Sequence, residues 1–432
     1  MQFLAELKSR GLFQQVSHPD LDVRLTDLAA KGTVAAYAGF DPTADSLHVG
    51  NFMGIMALMH AQRNGIRPIA IVGGATGLIG DPSGKSTERQ LHTKDTVASN
   101  VQGVRGVLQR FLDFNHPTVP ATIISNLDWF GSMSAIDFLR DVGKHFRIGT
   151  MLAKDSVKAR MEASEEGMSY TEFSYQLLQG YDFYRLFKDH HCVLQVGGSD
   201  QWGNITAGID LIRKLEGEGG NAFGLTWPLV TTSSGQKFGK SEGNAVWLSA
   251  DRTKPFDFYQ FWLRTEDTDV AKYLGYFTFL PMPEIQALVA EHQTAPENRL
   301  AQKRLAAEMT TLVHGPDAAA LALAASNTLY GSGDVEKLDA AAVEALAAQG
   351  VATTTLPAAQ LTTGLALLDA AVATGLAKSK GEARRLLAQG GLSVNNVVAT
   401  EASATLNTAD LIAGSAIVLR GGKKNYRLIR VG

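Results

Sequence analysis

Apolar and polar positions alternate along the first half of the chain in two rhythms. Thr33-Val34-Ala35-Ala36-Tyr37, Pro68-Ile69-Ala70-Ile71-Val72 and Val193-Leu194-Gln195-Val196 are short, nearly unbroken apolar runs. Runs of that length, rich in β-branched side chains, predict strands covered on both faces. Asn51 to Arg63 and Trp202 to Lys214 carry apolar residues at helical spacing and predict helices. The second strand runs into Gly73-Gly74-Ala75-Thr76-Gly77. Strand, glycine loop, helix and strand in that order predict an α/β domain on a parallel sheet. Ligands of such sheets sit beyond the carboxyl ends of the strands, so the residues following each strand are the ones to inspect.

From about Asp257 to Gly315 the periodicity turns helical. An Ala-rich stretch, 317–326, and a Thr/Ala/Gly/Pro segment, 349–364, read as weak helix and linker. Ala377 to Gln389 predicts a helix, and Leu392–Asn395 and Ile417–Leu419 predict short strands. The expected organisation is a parallel-sheet domain over 1–235, an α-helical domain over 236–345, a linker over 346–361 and a small α+β module over 362–432. No internal repeat stands out.

Composition narrows the class. A chain of 432 residues, 45% hydrophobic and 19% charged, is too long for one ordinary core and too apolar for disorder. One cysteine, Cys192, excludes an internal disulfide and a multi-Cys zinc site, and no protein-bound metal is expected. No uncharged run is apolar enough to span a bilayer, and Glu6 comes too early for a signal-peptide core, so a cytoplasmic protein without membrane contact is expected. The net charge of -3 hides a division: residues 376–432 hold nine basic side chains and three acidic ones, leaving an acidic remainder. A basic terminal module on an acidic body fits a polyanion partner as well as it fits a solvated basic face.

Two segments carry candidate chemistry. Gly80-Asp81-Pro82-Ser83-Gly84-Lys85-Ser86 approaches a phosphate-binding P-loop, but has three residues between its glycines where four are needed. The first strand instead leads through Tyr37-Ala38-Gly39-Phe40-Asp41-Pro42-Thr43 to His48-Val49-Gly50-Asn51 at the start of a helix. Unpaired N–H groups and a partial positive charge at a helix N-terminus favour a polyphosphate. An imidazole there can donate to phosphoryl oxygens as their charge grows. Further on, Gly235-Gln236-Lys237-Phe238-Gly239-Lys240-Ser241-Glu242-Gly243-Asn244 sets two lysines three apart among glycines. Paired cations in such a loop suit a leaving pyrophosphate, although a lone Lys-x-x-Lys is more often a solvated turn. Tyr175, Gln179 and Asp182 fall at i, i+4 and i+7, on one helix face behind the capping sequence Ser169-Tyr170-Thr171-Glu172. By pattern alone that face would be solvent-exposed, with Phe173, Leu177 and Leu178 buried.

His48-Val49-Gly50-Asn51 and Lys237-Phe238-Gly239-Lys240-Ser241 resemble, in order, the HIGH and KMSKS elements of class I aminoacyl-tRNA synthetases. Segments Tyr37–Asn51, Gly73–Arg89, Tyr175–Asp182 and Val196–Asn204, with Arg420–Tyr426 near the end, are similar to the bacterial tyrosyl enzymes across essentially the whole chain. Asn51 departs from the general pattern, which has a second His there.

The resemblance implies a Rossmann-like catalytic domain, an anticodon-side helical domain and an S4-like RNA-binding domain. It implies catalytic roles for His48, Lys237, Lys240 and Thr43. Tyr37 and Asp182 would bind the phenol of tyrosine, and Asp81, Tyr175 and Gln179 its ammonium group, with Gln201 near the carboxylate. Gly39, Gly50, Asn51, Asp200 and Ser241 would join His48 and the two lysines around ATP, which would bring Mg2+ with it. Lys85 and Arg89 would steady the pyrophosphate or the tRNA end. Lys378, Arg384 and Arg385 on a helix, with Lys423, Lys424 and Arg427 on a strand over Lys423–Arg430, would meet tRNA(Tyr) phosphates. An insertion near 120–190 would form a homodimer. A tryptophanyl enzyme, another nucleotidyltransferase with the H-x-G-[HN] turn, and an RNA-binding relative without catalysis remain as alternatives. Asp182, the chain length and the intact lysines, respectively, speak against them.

Overall fold

A computed structural model of the chain describes every residue except 84–90, 163–166, 234–237, 242–243, 331–342, 344–345, 348–349, 396 and 423–424. The side chains of 156, 240, 241, 244 and 328–330 are also outside the description. Lys85, Arg89, Lys237, Lys423 and Lys424 therefore lie outside the described residues, as do the side chains of Lys240 and Ser241.

The chain opens with α1 (Phe3–Ser9), β1 (Gln15–Val16) and α2 (Leu21–Ala29), followed by β2 (Ala35–Phe40), α3 (Phe52–Arg63) and β3 (Arg67–Val72). Next come α4 (Lys94–Leu108), β4 (Thr122–Ser125), α5 (Leu127–Phe130), α6 (Ala135–Asp137), α7 (Ile148–Leu152), α8 (Asp155–Glu162) and α9 (Tyr170–His190). Then β5 (Cys192–Gly198), α10 (Trp202–Glu216) and β6 (Phe223–Trp227) lead to a hairpin of β7 (Lys240–Ser241) and β8 (Asn244–Ala245). Helices α11 (Pro255–Leu263), α12 (Asp267–Phe277), α13 (Met282–Thr294), α14 (Leu300–His314) and α15 (Pro316–Tyr330) follow.

The chain packs as two compact units: Met1–Ser249 with Glu266–Ala301, and Ala250–Thr265 with Gln302–Gly432. The helical region expected over 236–345 is thus split, because α12 and α13 pack with the sheet while α11 and α15 belong with the C-terminal residues.

The first unit holds a six-stranded sheet in the order β1-β6-β5-β2-β3-β4. All neighbours from β6 to β4 are parallel, and only β1 runs antiparallel, against β6. The chain leaves β2 in one direction toward β3 and β4, then crosses to β5 and β6 on the other side, so the topological switch point lies between β2 and β5. Every residue of β5 is buried, as befits a strand covered on both faces. Ala35 and Tyr37 of β2, Ile69 and Ile71 of β3 and Cys192 of β5 form one apolar cluster with Phe183 and Leu186 of α9. On the opposite face, a Cβ added at Gly54 of α3 would meet the Phe40 ring at 3.2 Å. Helices α9 and α3 thus clasp β2 from its two sides. Within 120–190, expected as an insertion, β4 is a strand of the sheet and α9 packs against that sheet.

The second unit ends in the strands β9 (Thr353–Leu356), β10 (Leu365–Ala366), β11 (Leu392–Val394), β12 (Val397–Val398), β13 (Thr405–Leu406), β14 (Ala416–Gly421) and β15 (Asn425–Val431). Five of them form a sheet in the order β12-β11-β14-β15-β9, and β10 pairs with β13. Residues 346–361, expected as a linker, contain β9, which pairs in parallel with β15. The β-branched run Thr353-Thr354-Thr355 extends readily, although the composition of the segment suggests a spacer. Phe256, Ala325 and Leu346 share one apolar cluster with Val351, Ile412, Val418, Tyr426 and Leu428, so the module and its helices have a common core. Phe256→Ala should therefore destabilise both together, by roughly 3–5 kcal/mol. Chemical denaturation with limited proteolysis would read this; a module that keeps its own unshifted transition would refute the shared core.

Candidate active site

Tyr37 is buried in β2 on the face packed by α9, and Gly39, two residues on, shares that face. Gly39 is exposed within an otherwise buried strand, and a Cβ built there would meet nothing within 4 Å. That leaves open space on the substrate side of the switch point. Beyond the strand end, Asp41 accepts hydrogen bonds from Tyr175 Oη at 2.9 Å and Thr76 Oγ1 at 2.8 Å. Gly73 makes this possible, since a Cβ there would lie 2.2 Å from Asp41 Oδ1 and 2.3 Å from Thr76 Oγ1.

Helix α9 is capped by Ser169, whose side chain accepts from the Glu172 N–H. The Glu172 carboxylate takes a buried ion pair with Arg160 at 2.9 Å. Tyr175 and Asp182 are buried, so the polar face of this helix points inward and not to solvent. Asp182 accepts from Asn126 Nδ2 at 3.0 Å and Trp129 Nε1 at 2.9 Å. Burial pushes its carboxyl up to about 8, against these two hydrogen bonds that favour the charged form. The Tyr37 phenol is likewise raised well above its ordinary value, by burial first and then by the Asp182 charge. Among the described residues its hydroxyl has no hydrogen-bond partner. Gln195, paired with Tyr37 in register and so on the same face, also has a buried amide oxygen without a partner among those residues. A polar ligand group is what this corner lacks.

The mouth of the site is rich in acceptors. Asp81 accepts from Gln201 Nε2 at 2.7 Å and from the Ser83 N–H at 3.0 Å. Asn204 Nδ2 reaches both Gln179 Oε1 and Gln201 Oε1 at 3.2 Å. Asp200, just after β5, has its carboxyl raised by burial and by the neighbouring Asp81. These carboxylates and amide oxygens suit an ammonium group with three N–H donors.

His48 precedes α3. Its Nδ1 accepts from the Gly50 N–H at 3.0 Å, so in the neutral ring the proton sits on Nε2, the donor that a phosphoryl oxygen would meet. A Cβ at Gly50 would collide with the imidazole at 2.8 Å, which gives this glycine a second reason besides backbone access. Asn51 Oδ1 accepts from the His48 N–H at 3.1 Å, leaving its amide nitrogen as the group that could reach a ribose. Thr43 is exposed at the mouth. The second signature segment comes to the same place. The Val246 N–H donates to Gly239 O and the Val49 N–H to Val246 O, both at 2.9 Å, and His48 forms a β-bridge with Trp247.

Of the basic residues assigned to RNA, Lys378, Arg384 and Arg385 are exposed. Arg427 departs from expectation: it is half-buried and donates to Thr374 O at 3.1 Å and Tyr426 O at 2.9 Å. Its guanidinium is occupied with main-chain carbonyls of its own module, where it fastens strand to helix. Sequence reasoning missed Asp41, Thr76, Asn126, Trp129, Gln195 and Asn204 as parts of the site. Asn126 and Trp129 follow β4, a strand not recognised in the sequence; inspection of its carboxyl end would have found them.

A helix N-terminus and a set of acceptors at the switch point of a doubly wound sheet are features that nucleotide-dependent enzymes share. Comparison with known proteins narrows that class. The family model for tRNA synthetases class I (W and Y) matches residues 29–331, and that of the tyrosine–tRNA ligase SYY-like C-terminal domain matches residues 345–429. Tyrosine–tRNA ligase 1 of Bacillus subtilis is 50% identical over 429 residues, covering 99% of this chain and 98% of the relative. The tyrosine–tRNA ligase of Flavobacterium johnsoniae is 49% identical over 431 residues, with 99% and 98% covered. A C-terminally truncated mitochondrial tyrosyl-tRNA synthetase of Aspergillus nidulans matches with a TM-score of 0.67 at 35% identity, over 76% of this chain and 94% of that one. The chain belongs to the class I tRNA synthetases, and within them to the tyrosine–tRNA ligase family.

The Asp182 arrangement has a consequence for stability. Its folded-state value lies above the ordinary 3.8, so the contribution of this group is fully present below about pH 4 and lost as pH rises through about 8. Trp129→Phe removes one donor to the carboxylate and should cost more stability at pH 9 than at pH 5, measured by urea denaturation. An equal cost at both pH values would show that Trp129 does not support the ionised form.

Proposed function

We propose that this enzyme joins L-tyrosine to tRNA(Tyr) in two steps within the first unit's site. The tyrosine carboxylate attacks the α-phosphorus of ATP; the bond to the bridging oxygen breaks, releasing pyrophosphate and leaving tyrosyl-adenylate. A hydroxyl of the terminal adenosine of the tRNA then attacks the adenylate carbonyl, and AMP leaves. The reading is carried by the buried Tyr37 hydroxyl beside Asp182, which has no hydrogen-bond partner among the described residues. A substrate phenol would donate to an Asp182 carboxyl oxygen and accept from Tyr37 Oη, with Gln195 Oε1 at hand. Tyr175, Gln179 and Asp81 would hold the ammonium group, and Gln201 would lie by the carboxylate.

ATP would lie across Gly39 and the start of α3, with its ribose toward Asp200 and Asn51. His48 Nε2 and Thr43 would reach the phosphates, and Lys237, Lys240 and Ser241 would neutralise the charge that moves onto the leaving pyrophosphate. No covalent enzyme intermediate is needed, so rate comes from positioning and charge stabilisation. Mg2+ held mainly by phosphate and water would shield the triphosphate.

The exposed Lys378, Arg384 and Arg385, with Lys423 and Lys424, would face tRNA phosphates from an S4-like module, while Lys85 and Arg89 would act near the acceptor end. Exposed apolar residues recur between β4 and α9, among them Ile136 and Ile148 at 71% and 66% exposure, and they support a homodimer through this segment. Among the described residues no helix is long and apolar enough to cross a membrane.

ATP–pyrophosphate exchange with single amino acids tests the reading. Exchange should be strong with tyrosine and weaker with phenylalanine by roughly 10⁴–10⁵, a range for which tyrosyl enzymes are themselves the reference case. Equal exchange with both would overturn the phenol pocket. Gly50→Ala, which pushes the imidazole aside, should lower exchange at saturating substrates by roughly 10–10²-fold while tyrosine affinity stays unchanged. A normal rate would remove His48 from the chemistry.

A further inference from the structure

The two signature segments are distant in sequence, and something must set their separation. Backbone bonds that link Gly239, Val246 and Val49 do part of this. The remainder is aromatic, and it runs through α12.

Phe238, which stands between Lys237 and Gly239 of the second signature, is buried and stacks on Phe277 of α12, with centroids 5.3 Å apart and planes at 12°. It also packs on Tyr273, one turn earlier, at 4.9 Å. Phe277, which is fully buried, meets Phe52 at 6.4 Å, and Phe52 meets Phe111 at 5.1 Å. Phe52 directly follows Asn51 and is the first residue of α3. A continuous column, Phe111-Phe52-Phe277-Phe238-Tyr273, therefore joins the residue after one signature to the middle of the other.

Helix α12 also grips the chain on the other side of residues 234–237. Asp269 Oδ2 accepts from the Ser233 N–H at 2.8 Å, and Lys272 Nζ donates to Thr231 O at 3.2 Å. Gly239 completes the arrangement. Its φ is +87°, and a Cβ there would lie 3.0 Å from Val49 Cγ2 and 3.2 Å from Gly50 N. The hairpin thus sits against the His48 turn with no room for a side chain between them.

We infer that Phe277 is a positioning residue for adenylate formation: wedged between Phe52 and Phe238, it sets the distance at which the lysine segment meets the His48 turn. Aromatic contacts of this kind are directional and stiff, so a smaller side chain at 277 lets the segment drift without unpicking the tyrosine pocket. A drift of about 1 Å at reacting groups can cost on the order of 10²-fold in rate. This inference rests on the proposed role of the lysine segment, and the experiment separates the two.

Single-turnover adenylate formation and equilibrium tyrosine binding are measured for Phe277→Leu and Phe238→Leu, each in the native and the Lys240→Ala background. Both leucine variants should slow adenylate formation by roughly 10–10²-fold with unchanged tyrosine affinity, and should cost almost nothing further once Lys240 is removed. A purely structural role predicts the opposite: the same factor in both backgrounds, or tyrosine affinity falling in parallel. Either result overturns the inference. Lys240→Ala with a normal rate would overturn the role of the segment itself, and this inference with it. If Phe277→Leu does not fold, the Phe238→Leu pair decides by the same criteria.

Discussion

A carboxylate taken almost wholly out of water is unfavourable unless donors replace its hydration, and the site is arranged around that constraint at Asp182. Asn126, itself fully buried, donates to Asp182 and Thr76, and its amide oxygen accepts from the Ala75 N–H. Thr76 passes the chain on to Asp41, and Asp41 accepts from Tyr175. One hydrogen-bonded network thus ties the carboxyl ends of β2, β3 and β4 to α9, the helix that carries Tyr175, Gln179 and Asp182. Such networks are worth most when every member is satisfied. Here the unsatisfied members among the described residues, Tyr37 Oη and Gln195 Oε1, gather on the face where a phenol would lie.

That incompleteness explains how discrimination can arise without a second sieve. A ligand carrying a hydroxyl completes the network, whereas one lacking it leaves buried polar groups unpaired, which costs far more than a lost surface hydrogen bond. The same burial that raises the Asp182 carboxyl weakens the fold at neutral pH, and Trp129 and Asn126 offset part of that. Stability and selectivity therefore pull on one side chain in opposite directions.

The legible parts of the sequence were those with one strong local signal. Strands β2, β3 and β5, with α3 and α10, emerge within a few residues of their expected places, because apolar runs and helical spacing both reflect burial. Strands β4 and β6 were not recognised: Thr122–Ser125 is only four residues long, and Gly224 interrupts the apolar run of Phe223–Trp227. The inward turn of the Tyr175–Asp182 face was illegible for a different reason. A polar helix face reads as solvated unless its buried partners are known, and Asn126, Trp129 and Asp41 come from other parts of the chain. Spacing could not show that Arg427 turns inward either, since the carbonyl it meets at Thr374 is 53 residues away.

Asp41 and Asp81 would draw an ammonium group, yet their field opposes a triphosphate arriving beside them. The fold answers by separating the two demands along the sheet edge. The carboxylates Asp41, Asp81 and Asp182 are engaged by donors from Tyr175, Thr76, Gln201, Asn126 and Trp129, which spread their charge. The N-terminus of α3, with its partial positive charge, lies on the far side of β2, and the hairpin packs against the same turn through Gly239 and Val246. A cation cluster among these carboxylates would neutralise the proposed ammonium site. Delivered on a separate segment, the same charges would act on the phosphates while the acceptor set keeps its sign.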